Sequence, residues 1–521
     1  MMQKEDEFSG YDVLIVGLGP VGMLAANLLG MYGLKVAVFE RNQELYNIPR
    51  AIHIDDEVMR ILQYVGLHEP VLALSKPVPG MRLVTPRGKV LLETSKTATA
   101  GFAASYLFYQ PHLEQVLMEG VERYKNVSVF FGATAVAIQP DNTPALQVKT
   151  AEKTCTYLGK FILACDGANS SLRDLLQLRL KDLRFSRRNL KVDVRIEDEG
   201  ETFKFSDWIQ KTVAPPNKSH VFLNSFGSHY RWEFSIPKGS SSASIEWASP
   251  GIIQDMLATV INPDKVKIIH AVEYRFATKI ARQWQQDRVF LAGDAAHQMP
   301  PYIGQGMCAG FRDVMNISWK IKAVIKDQAP LQLLQSYAVE RVPHVRFIMW
   351  VTRWVGRLFI TRRWGWVLKG LALFAPRHWR KVKVPPQKLK QGIFGKNRRL
   401  RGHLFPQMEV TLANQTHLQD ACLGKGWCIV SYGQEVSQAL PADTLQRLTQ
   451  LGVSFCIIAT ADAVNNEEGN PTDRYGRYQQ WFTKHKVEVV VVRPDRYIYD
   501  ATQTAKLPQV IQRLLKEVYP V

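Results

Sequence analysis

Residues Tyr11 to Glu40 restrict the fold more than any other stretch of the chain. YDVLIVG is an unbroken, largely apolar run of strand length, it closes in Gly17-Leu-Gly-Pro-Val-Gly22, and a helical pattern continues to about Tyr32. A second run from Lys35 stops at Glu40, eighteen residues after Gly22. Strands without polar alternation are buried on both faces, as in a parallel sheet covered by helices. The glycines let a pyrophosphate approach the N-terminus of the helix, where free N–H groups and a partial positive charge suit an anion. Glu40 stands where an acid can bind a ribose hydroxyl pair. A lone GxGxxG is weak, but strand, helix and distal acid together indicate a dinucleotide. NAD and FAD both satisfy the pattern.

The segment Leu291 to Lys320, LAGDAAHQMPPYIGQGMCAGFRDVMNISWK, separates them. It joins a buried strand to an amphipathic helix through a Gly- and Pro-rich loop. Asp294 lies just past the strand end, and Gly304, Gly306 and Gly310 leave the following backbone bare for a flat ligand. The helix N-terminus favours a group that becomes anionic. A flavin meets both demands, with a polyol for the carboxylate and a ring that gains negative charge on reduction.

Residues 51–75 read as helical. Val127–Ile138 and Ala145–Thr150 read as strands of a hairpin-rich insert, and Phe161–Ala164 as a short buried strand leading to Asp166-Gly167. From about Leu180 to Arg282 the pattern turns to alternation, in Lys191–Ile196, Val221–Asn224, Tyr230–Ile236 and Ser242–Trp247, which predicts a mostly antiparallel sheet inserted between two halves of one nucleotide domain. The expected segments are 1–180 and 289–345 for the nucleotide domain, 181–288 for the inserted sheet, 346–404 for a basic aromatic stretch, and 405–521 for a separate α/β unit. That unit has strands at Trp427–Ser431, Ser454–Thr460 and Val487–Arg493 and a last helix from about Lys506 to Glu517.

The net charge of +19 is local. Sixteen Lys/Arg and no Asp or Glu fall between Arg346 and Arg401, together with Trp350, Trp354, Trp364, Trp366 and Trp379. Residues 346–380 read as helical, with stretches near 345–360 and 364–375, and 383–405 as an extended basic linker. Charges interrupt any bilayer-spanning run. A basic helix with Trp and Phe suits the surface of an anionic membrane; the alternative is that the aromatics pack inward beneath a solvated charged face. Nucleic acid is not expected, because no binding module accompanies the charge. The six cysteines show no CxxC and no metal spacing, and no metal site is expected. The polar Met1–Gly10 does not read as a signal peptide, so the expectation is cytoplasmic, with or without contact at the inner face of the membrane.

With GxGxxG, Asp166-Gly167 and Gly293-Asp294 in this order, the chain resembles the class A FAD-dependent aromatic hydroxylases over nearly its whole length, and within them the 3-(3-hydroxyphenyl)propionate hydroxylase group. Pro49-Arg-Ala-Ile-His-Ile-Asp-Asp-Glu57, Tyr109-Gln-Pro-His-Leu-Glu114 and Tyr337-Ala-Val-Glu-Arg-Val-Pro-His344 match that group's pattern. Asp473-Arg-Tyr-Gly476, Trp481-Phe482 and Arg493-Pro-Asp-Arg-Tyr497 resemble its C-terminal thioredoxin-like domain, here without a redox CxxC. The resemblance implies an α/β fold: a Rossmann-type (GR2-like) FAD domain, an inserted antiparallel substrate sheet and a thioredoxin-like tail. It implies that Gly17, Gly19, Pro20, Val21, Gly22, Glu40 and Arg41 serve the ADP half of FAD, and that Arg50 and Gln110 contact its middle. Asp166 would lie near the pyrophosphate, Gly293 and Asp294 at the ribityl chain, and Pro301, Gly304, Gly306 and Met307 beside the isoalloxazine. The implied reaction uses NADH or NADPH and O2 to hydroxylate a small phenolic substrate through a flavin C4a-hydroperoxide, and a homodimer is compatible with it.

No catalytic triad or carboxylate pair stands out, as expected when the cofactor carries the hard chemistry. Pocket candidates are His53, where the group usually has glycine, and His229, Tyr230, Arg231 and Glu233 on one strand, half of whose side chains must face away. His53 either shapes the pocket or points to solvent. Cys308 reads as a packed residue, and His297 as a loop-structuring one. Two rival functions are a flavin reductase or dehydrogenase without oxygen insertion, and a flavin-binding protein without catalysis.

Overall fold

A computed structural model describes residues 10–45, 50–196, 206–212, 219–236, 246–360, 381–384, 388–460 and 470–520. The most apolar runs form the central sheet. Val289–Leu291, Thr154–Ala164, Tyr11–Val16, Val36–Phe39 and Val127–Phe130 lie side by side and parallel, with Gln285–Gln286 antiparallel at one edge. Thr154–Ala164 serves two sheets. Its polar first half pairs in a hairpin layer with Ala145–Lys149, which in turn pairs with Thr134–Gln139. Its apolar end, Phe161–Ala164, is buried at the centre of the parallel sheet. Val127–Phe130 therefore belongs to the parallel sheet and not to the hairpin insert. The helix Pro20–Met31 is buried along Gly22–Gly30 because it packs on this sheet and also against the helices Gln110–Glu122 and Gly306–Lys326.

Residues 51–75 are not one helical stretch. His53–Asp55 is a strand paired with Ser105–Phe108, followed by helices Asp56–Tyr64 and His68–Ala73. Asp55 ends the strand and starts the helix: its Oδ1 accepts from the Val58 N–H at 3.1 Å, satisfying one of the orphan donors of the first turn.

The second sheet runs His297–Gln298, Lys267–Ala281, Leu180–Arg195, His229–Ser235, His220–Asn224, Ile209–Thr212, Met81–Val84, Val90–Lys96 and Lys381–Val384. It is mostly antiparallel, but it is not confined to residues 181–288. Met81–Val84 pairs parallel with Ile209–Thr212, and Lys381–Val384 parallel with Val90–Lys96. Each covers a strand edge whose N–H and C=O groups need partners. Most of the expected strand Ser242–Trp247, and the stretch 364–375, lie outside the described residues. One face of the sheet packs Leu190, Val192, Val194, Trp232 and Phe234 against Ile253 and Leu257 of the helix Pro250–Ala258. The opposite face looks onto the nucleotide domain.

The C-terminal unit has a four-stranded sheet ordered Ser454–Ile458, Cys428–Tyr432, Val489–Val492, Ile498–Thr502. The first pair is parallel and the others antiparallel, with helices Ala442–Gln450, Arg477–His485 and Leu507–Val518. The stretch expected as a linker is in part a packed strap. Leu389, Phe394 and Leu400 are buried, and the Lys396 and Asn397 N–H groups donate to Asp500 at 2.9 and 3.0 Å. Lys390, Lys396, Arg398 and Arg399 are exposed, while its few apolar side chains supply the anchorage.

Candidate cofactor site

The glycine turn is steric in origin. Gly17 has φ +97°, and a Cβ there would sit 2.5 Å from the Cys165 carbonyl oxygen; a Cβ on Gly22 would sit 1.9 Å from the Gly17 carbonyl oxygen. At Gly310 it would meet Val21 Cγ2 at 2.6 Å and Gly293 Cα at 3.1 Å. These approaches bring the strand Tyr11–Val16, the Asp166-Gly167 turn and the helix Gly306–Lys326 together at the start of the helix Pro20–Met31. Pro20 occupies its first position, where no N–H partner is needed. Gly19, by contrast, has open space before it. Glu40 accepts from the Leu18 N–H at 2.8 Å through Oε2 and from the Asn42 N–H at 3.0 Å through Oε1, so the distal acid steadies the turn. Arg41 is exposed beside it.

Gln110 is buried. Its Oε1 accepts from the Arg50 N–H at 2.8 Å and from the Ala51 N–H, and its Nε2 donates to Glu114 at 2.6 Å. It fixes the backbone at 50–51 while the Arg50 side chain is exposed. Asp166 Oδ2 accepts from the Leu172 N–H at 3.1 Å and the Ser171 hydroxyl at 3.2 Å; its Oδ1 is buried without a hydrogen-bond partner. Asp294 lies in a recess: solvent reaches its carboxyl, yet the surrounding protein desolvates it enough to raise its pKa, against the pull of His297 and Arg50. Behind it, Asp313 accepts from the Gly293 N–H at 3.1 Å, His297 Nε2 lies 2.7 Å from the same oxygen, and Arg341 donates to the other at 2.8 Å. His297 is thus part of the loop's support. Open backbone at Gly19, the unsatisfied Asp166 oxygen and the recessed Asp294 fit an extended dinucleotide.

In the 301–307 loop, Pro301–Ile303 makes a short turn into Gly304, at φ +63°, where a Cβ would lie 2.7 Å from His53 Cβ. His53 is buried beneath the loop, Nδ1 3.3 Å from the Gly304 carbonyl oxygen and Nε2 3.1 Å from Ser105 Oγ, so it does not point to solvent. Burial lowers its pKa, against Asp55. Gly306 has space around it and Met307 is half-buried. Cys308 is fully buried, and burial pushes its thiol up. Below the loop, Arg312 donates to Asp55 at 2.5 Å, to Glu57 at 2.6 Å and to Gln305 at 3.1 Å. This support was not read from the sequence, although three acids in a row at 55–57 on a buried segment require a nearby cation.

The pocket candidates separate. Arg231 is buried, donates to Asp193 at 2.6 Å and to the Arg50 carbonyl at 2.9 Å, and ties the sheet to the nucleotide domain. Tyr230 turns to the far face and stacks with Phe222, centroids 6.3 Å apart. His229 stacks on Tyr109 at 4.3 Å, beside a cavity also lined by Ile52, Asp193 and Ser225. Glu233 lies on the near face and accepts from Tyr274 OH at 2.9 Å. Lys211, Tyr302, Phe185 and Phe276 gather there too. The sequence offered one signal for them, a lysine in the otherwise uncharged strand IQKT.

Two sequence families divide the chain. The FAD binding domain family matches residues 10–351, and the HcaD C-terminal domain family residues 402–517. A probable NADH-specific resorcinol 4-hydroxylase of Rhodococcus jostii (strain RHA1) is 32% identical over 98% of this chain and 96% of its own. The chain belongs to the FAD-dependent aromatic hydroxylases. The 3-(3-hydroxy-phenyl)propionate/3-hydroxycinnamic acid hydroxylase of Escherichia coli (strain K12) is 30% identical to this hydroxylase over 98% of its chain and 94% of the relative. Among solved structures, the flavin-dependent monooxygenase PieE with FAD and substrate matches 98% of the hydroxylase with TM-score 0.79 at 19% identity, covering 99% of PieE. Aklavinone-11 hydroxylase with FAD and aklavinone matches 99% of it with TM-score 0.78 at 19% identity, covering 100% of that chain. FAD is the cofactor of the hydroxylase. Among its described residues no helix is long and apolar enough to cross a membrane.

Proposed function

We propose that this hydroxylase converts a simple phenol, of the resorcinol or 3-hydroxyphenylalkanoate kind, to its ring-hydroxylated product, with NADH as reductant: phenol, O2, NADH and H+ give the hydroxylated phenol, H2O and NAD+. The observation that carries this reading is the near face of the substrate sheet, where Phe185, Tyr274, Phe276 and Tyr302 line one region at the 301–307 loop. Bound FAD supplies the redox chemistry and the electrophilic oxygen. The chain's own residues bind, orient and exclude water. Gly17, Gly19, Pro20, Val21 and Gly22 receive the pyrophosphate at the helix N-terminus, Glu40 and Arg41 the ADP ribose region, and Asp166, Arg50 and Gln110 the middle of the cofactor. Gly293 and Asp294 take the ribityl hydroxyls, and Pro301, Gly304, Gly306 and Met307 border the ring. The aromatic wall holds a flat substrate in a dry environment, where a fixed charge acts more strongly than in water.

The test is a screen of resorcinol, 3-(3-hydroxyphenyl)propionate and 3-hydroxycinnamate with NADH and NADPH, following O2 uptake, peroxide and product mass. The expected result is faster oxidation of NADH than of NADPH, coupled to a product one oxygen heavier. NADH oxidation that yields only peroxide with every phenol would mark a reductase, and a flavin that neither nucleotide reduces would mark a binding protein.

A second reading concerns the helix Ser336–Ile360. Phe347, Trp350 and Trp354 are 41%, 58% and 54% exposed, and at i, i+3 and i+7 they share one face. Lys390 Nζ lies 5.6 Å from the Phe347 ring centroid, so cation and aromatics adjoin. Such a face suits the interfacial region of an anionic membrane. Flotation with phosphatidylserine vesicles is expected to carry the wild type upward in low salt, and the Trp350→Ala/Trp354→Ala variant to remain below. Equal behaviour of the two would remove the reading, and a concentration-dependent mass abolished by the same variant would assign the face to a homodimer.

A further inference from the structure

We infer that Lys211 and the Tyr302 hydroxyl form a subsite for an ionised oxygen of the aromatic substrate, and that this pair selects among phenols. The inference rests on the phenol-hydroxylase reading above and adds to it the groups that recognise the substrate.

Three observations converge. Lys211 is 3% exposed, in the strand Ile209–Thr212. The register places it opposite Val221, itself opposite Glu233, so all three stand on the sheet face that looks onto the nucleotide domain. A buried ammonium is strongly disfavoured unless an anion faces it. Glu233 is a carboxylate that acts on it, and Glu233 also accepts from Tyr274 at 2.9 Å. Burial still lowers Lys211 to about 8 against that attraction, so a further anion would be favoured beside it.

The second observation is the Tyr302 hydroxyl, a buried oxygen with no hydrogen-bond partner among the described residues. Its ring is held, edge-on, by Phe276 at 5.4 Å and Phe185 at 6.2 Å, with Lys211 Nζ 5.4 Å from its centroid. Buried hydroxyls are nearly always paired, so one fixed without a partner is poised for a ligand. It adjoins Pro301, in the loop expected beside the flavin ring.

The third is the surroundings. Phe185, Phe276 and Tyr274 offer flat apolar walls, and Ile209, Val221 and Leu223 continue the same sheet face as an apolar patch with Leu107. A planar ring with one anionic oxygen matches apolar walls around one cation and one hydroxyl donor. That oxygen can be the ring phenolate or a side-chain carboxylate. The chemistry is shared, and the experiment separates the sources.

The FAD-loaded wild type, Lys211→Met, Lys211→Arg and Tyr302→Phe enzymes are titrated calorimetrically with 3-(3-hydroxyphenyl)propionate, its primary amide and resorcinol. KM and kcat are measured in parallel. Lys211→Met is expected to weaken binding of the propionate at least tenfold and Lys211→Arg to restore most of it. Tyr302→Phe keeps the ring and its packing, and is expected to weaken binding roughly threefold to tenfold. Loss confined to the propionate assigns the subsite to the carboxylate; equal loss for all three ligands assigns it to the phenol oxygen. Unchanged affinities in Tyr302→Phe and Lys211→Met overturn the inference, and Tyr302→Phe alone decides if Lys211→Met does not retain FAD. A wild type that binds these ligands through Lys211 without hydroxylating them would keep the subsite and remove the hydroxylase reading. A wild type that hydroxylates them while the variants bind equally well would do the reverse.

Discussion

Gly22→Ala is expected to yield a colourless protein. The added methyl would lie 1.9 Å from the Gly17 carbonyl oxygen, so the overlap is backbone against Cβ and no rotamer relieves it. The helix Pro20–Met31 cannot simply withdraw, because on its other side Val21 already meets Gly310 within the space of one absent Cβ. The strand and the helix must separate at the turn that receives the pyrophosphate. Overpacking of this kind costs roughly 1–3 kcal/mol in stability, and the displaced N–H groups also lose their aim at the phosphates. Flavin absorbance after gel filtration, and the shift of Tm on adding FAD, report both effects. Gly251→Ala is the control, since a Cβ there meets nothing within 4 Å. A Gly22→Ala enzyme as yellow as the control would refute this account of the turn.

Glu340→Ala is expected to cause the largest loss of stability, roughly 3–5 kcal/mol. Glu340 is fully enclosed. Its carboxylate accepts from Arg493 at 2.9 and 2.7 Å, Lys320 at 2.9 Å, Asn316 at 2.7 Å and the Ile393 N–H at 3.0 Å. Its removal leaves two buried cations, with Asp495 as the remaining carboxylate of the group, at 2.7 Å from Arg493. Arg493 and Asp495 come from the C-terminal unit and Glu340 from the nucleotide domain, so protease sensitivity should rise first at their junction. Burial alone would raise the Glu340 carboxyl, but Arg493 and Lys320 hold it well below its ordinary range. A depressed carboxylate stabilises the fold above its unfolded value, about 4.3, and that contribution fades as pH falls through the folded value. The difference in denaturant midpoint between wild type and Glu340→Ala should therefore hold near neutrality and shrink in acid. A difference in unfolding free energy below about 1 kcal/mol at pH 7 would show that the group is not a clamp.

The sequence made the nucleotide domain legible because its strands are apolar without interruption: FILA at 161–164, VAVF at 36–39 and VFL at 289–291 are buried in parallel register. In the tail, the strands at Trp427–Ser431, Ser454–Thr460 and Val487–Arg493 were legible as apolar runs, whereas Ile498–Thr502, interrupted by Asp500, was not, and the thioredoxin-like assignment came from the resemblance. The substrate sheet was legible only as alternation. Period two states which residues share a face and is silent on which face is inward, so Tyr230 and Arg231 looked equivalent until packing sent them apart. Pairings between distant segments, such as Met81–Val84 with Ile209–Thr212, leave no local trace. His53–Asp55 was hidden in a helical pattern because three residues are too few to establish a period. Lys211 and Tyr302 belong together only through the sheet's fold over the 301–307 loop.

The peptide at Arg50 has a consequence for how the enzyme responds to its ligands. In the amide joining Arg50 to Ala51, the Ala51 N–H is gripped by Gln110 from the nucleotide domain and the Arg50 C=O by Arg231 from the substrate sheet, which Asp193 holds in place. One amide is thus read from both sides, like a pawl between two wheels. Any ligand that resets it on one side changes the free energy on the other, and linkage makes the effect mutual: whatever factor FAD contributes to substrate affinity, substrate returns to FAD.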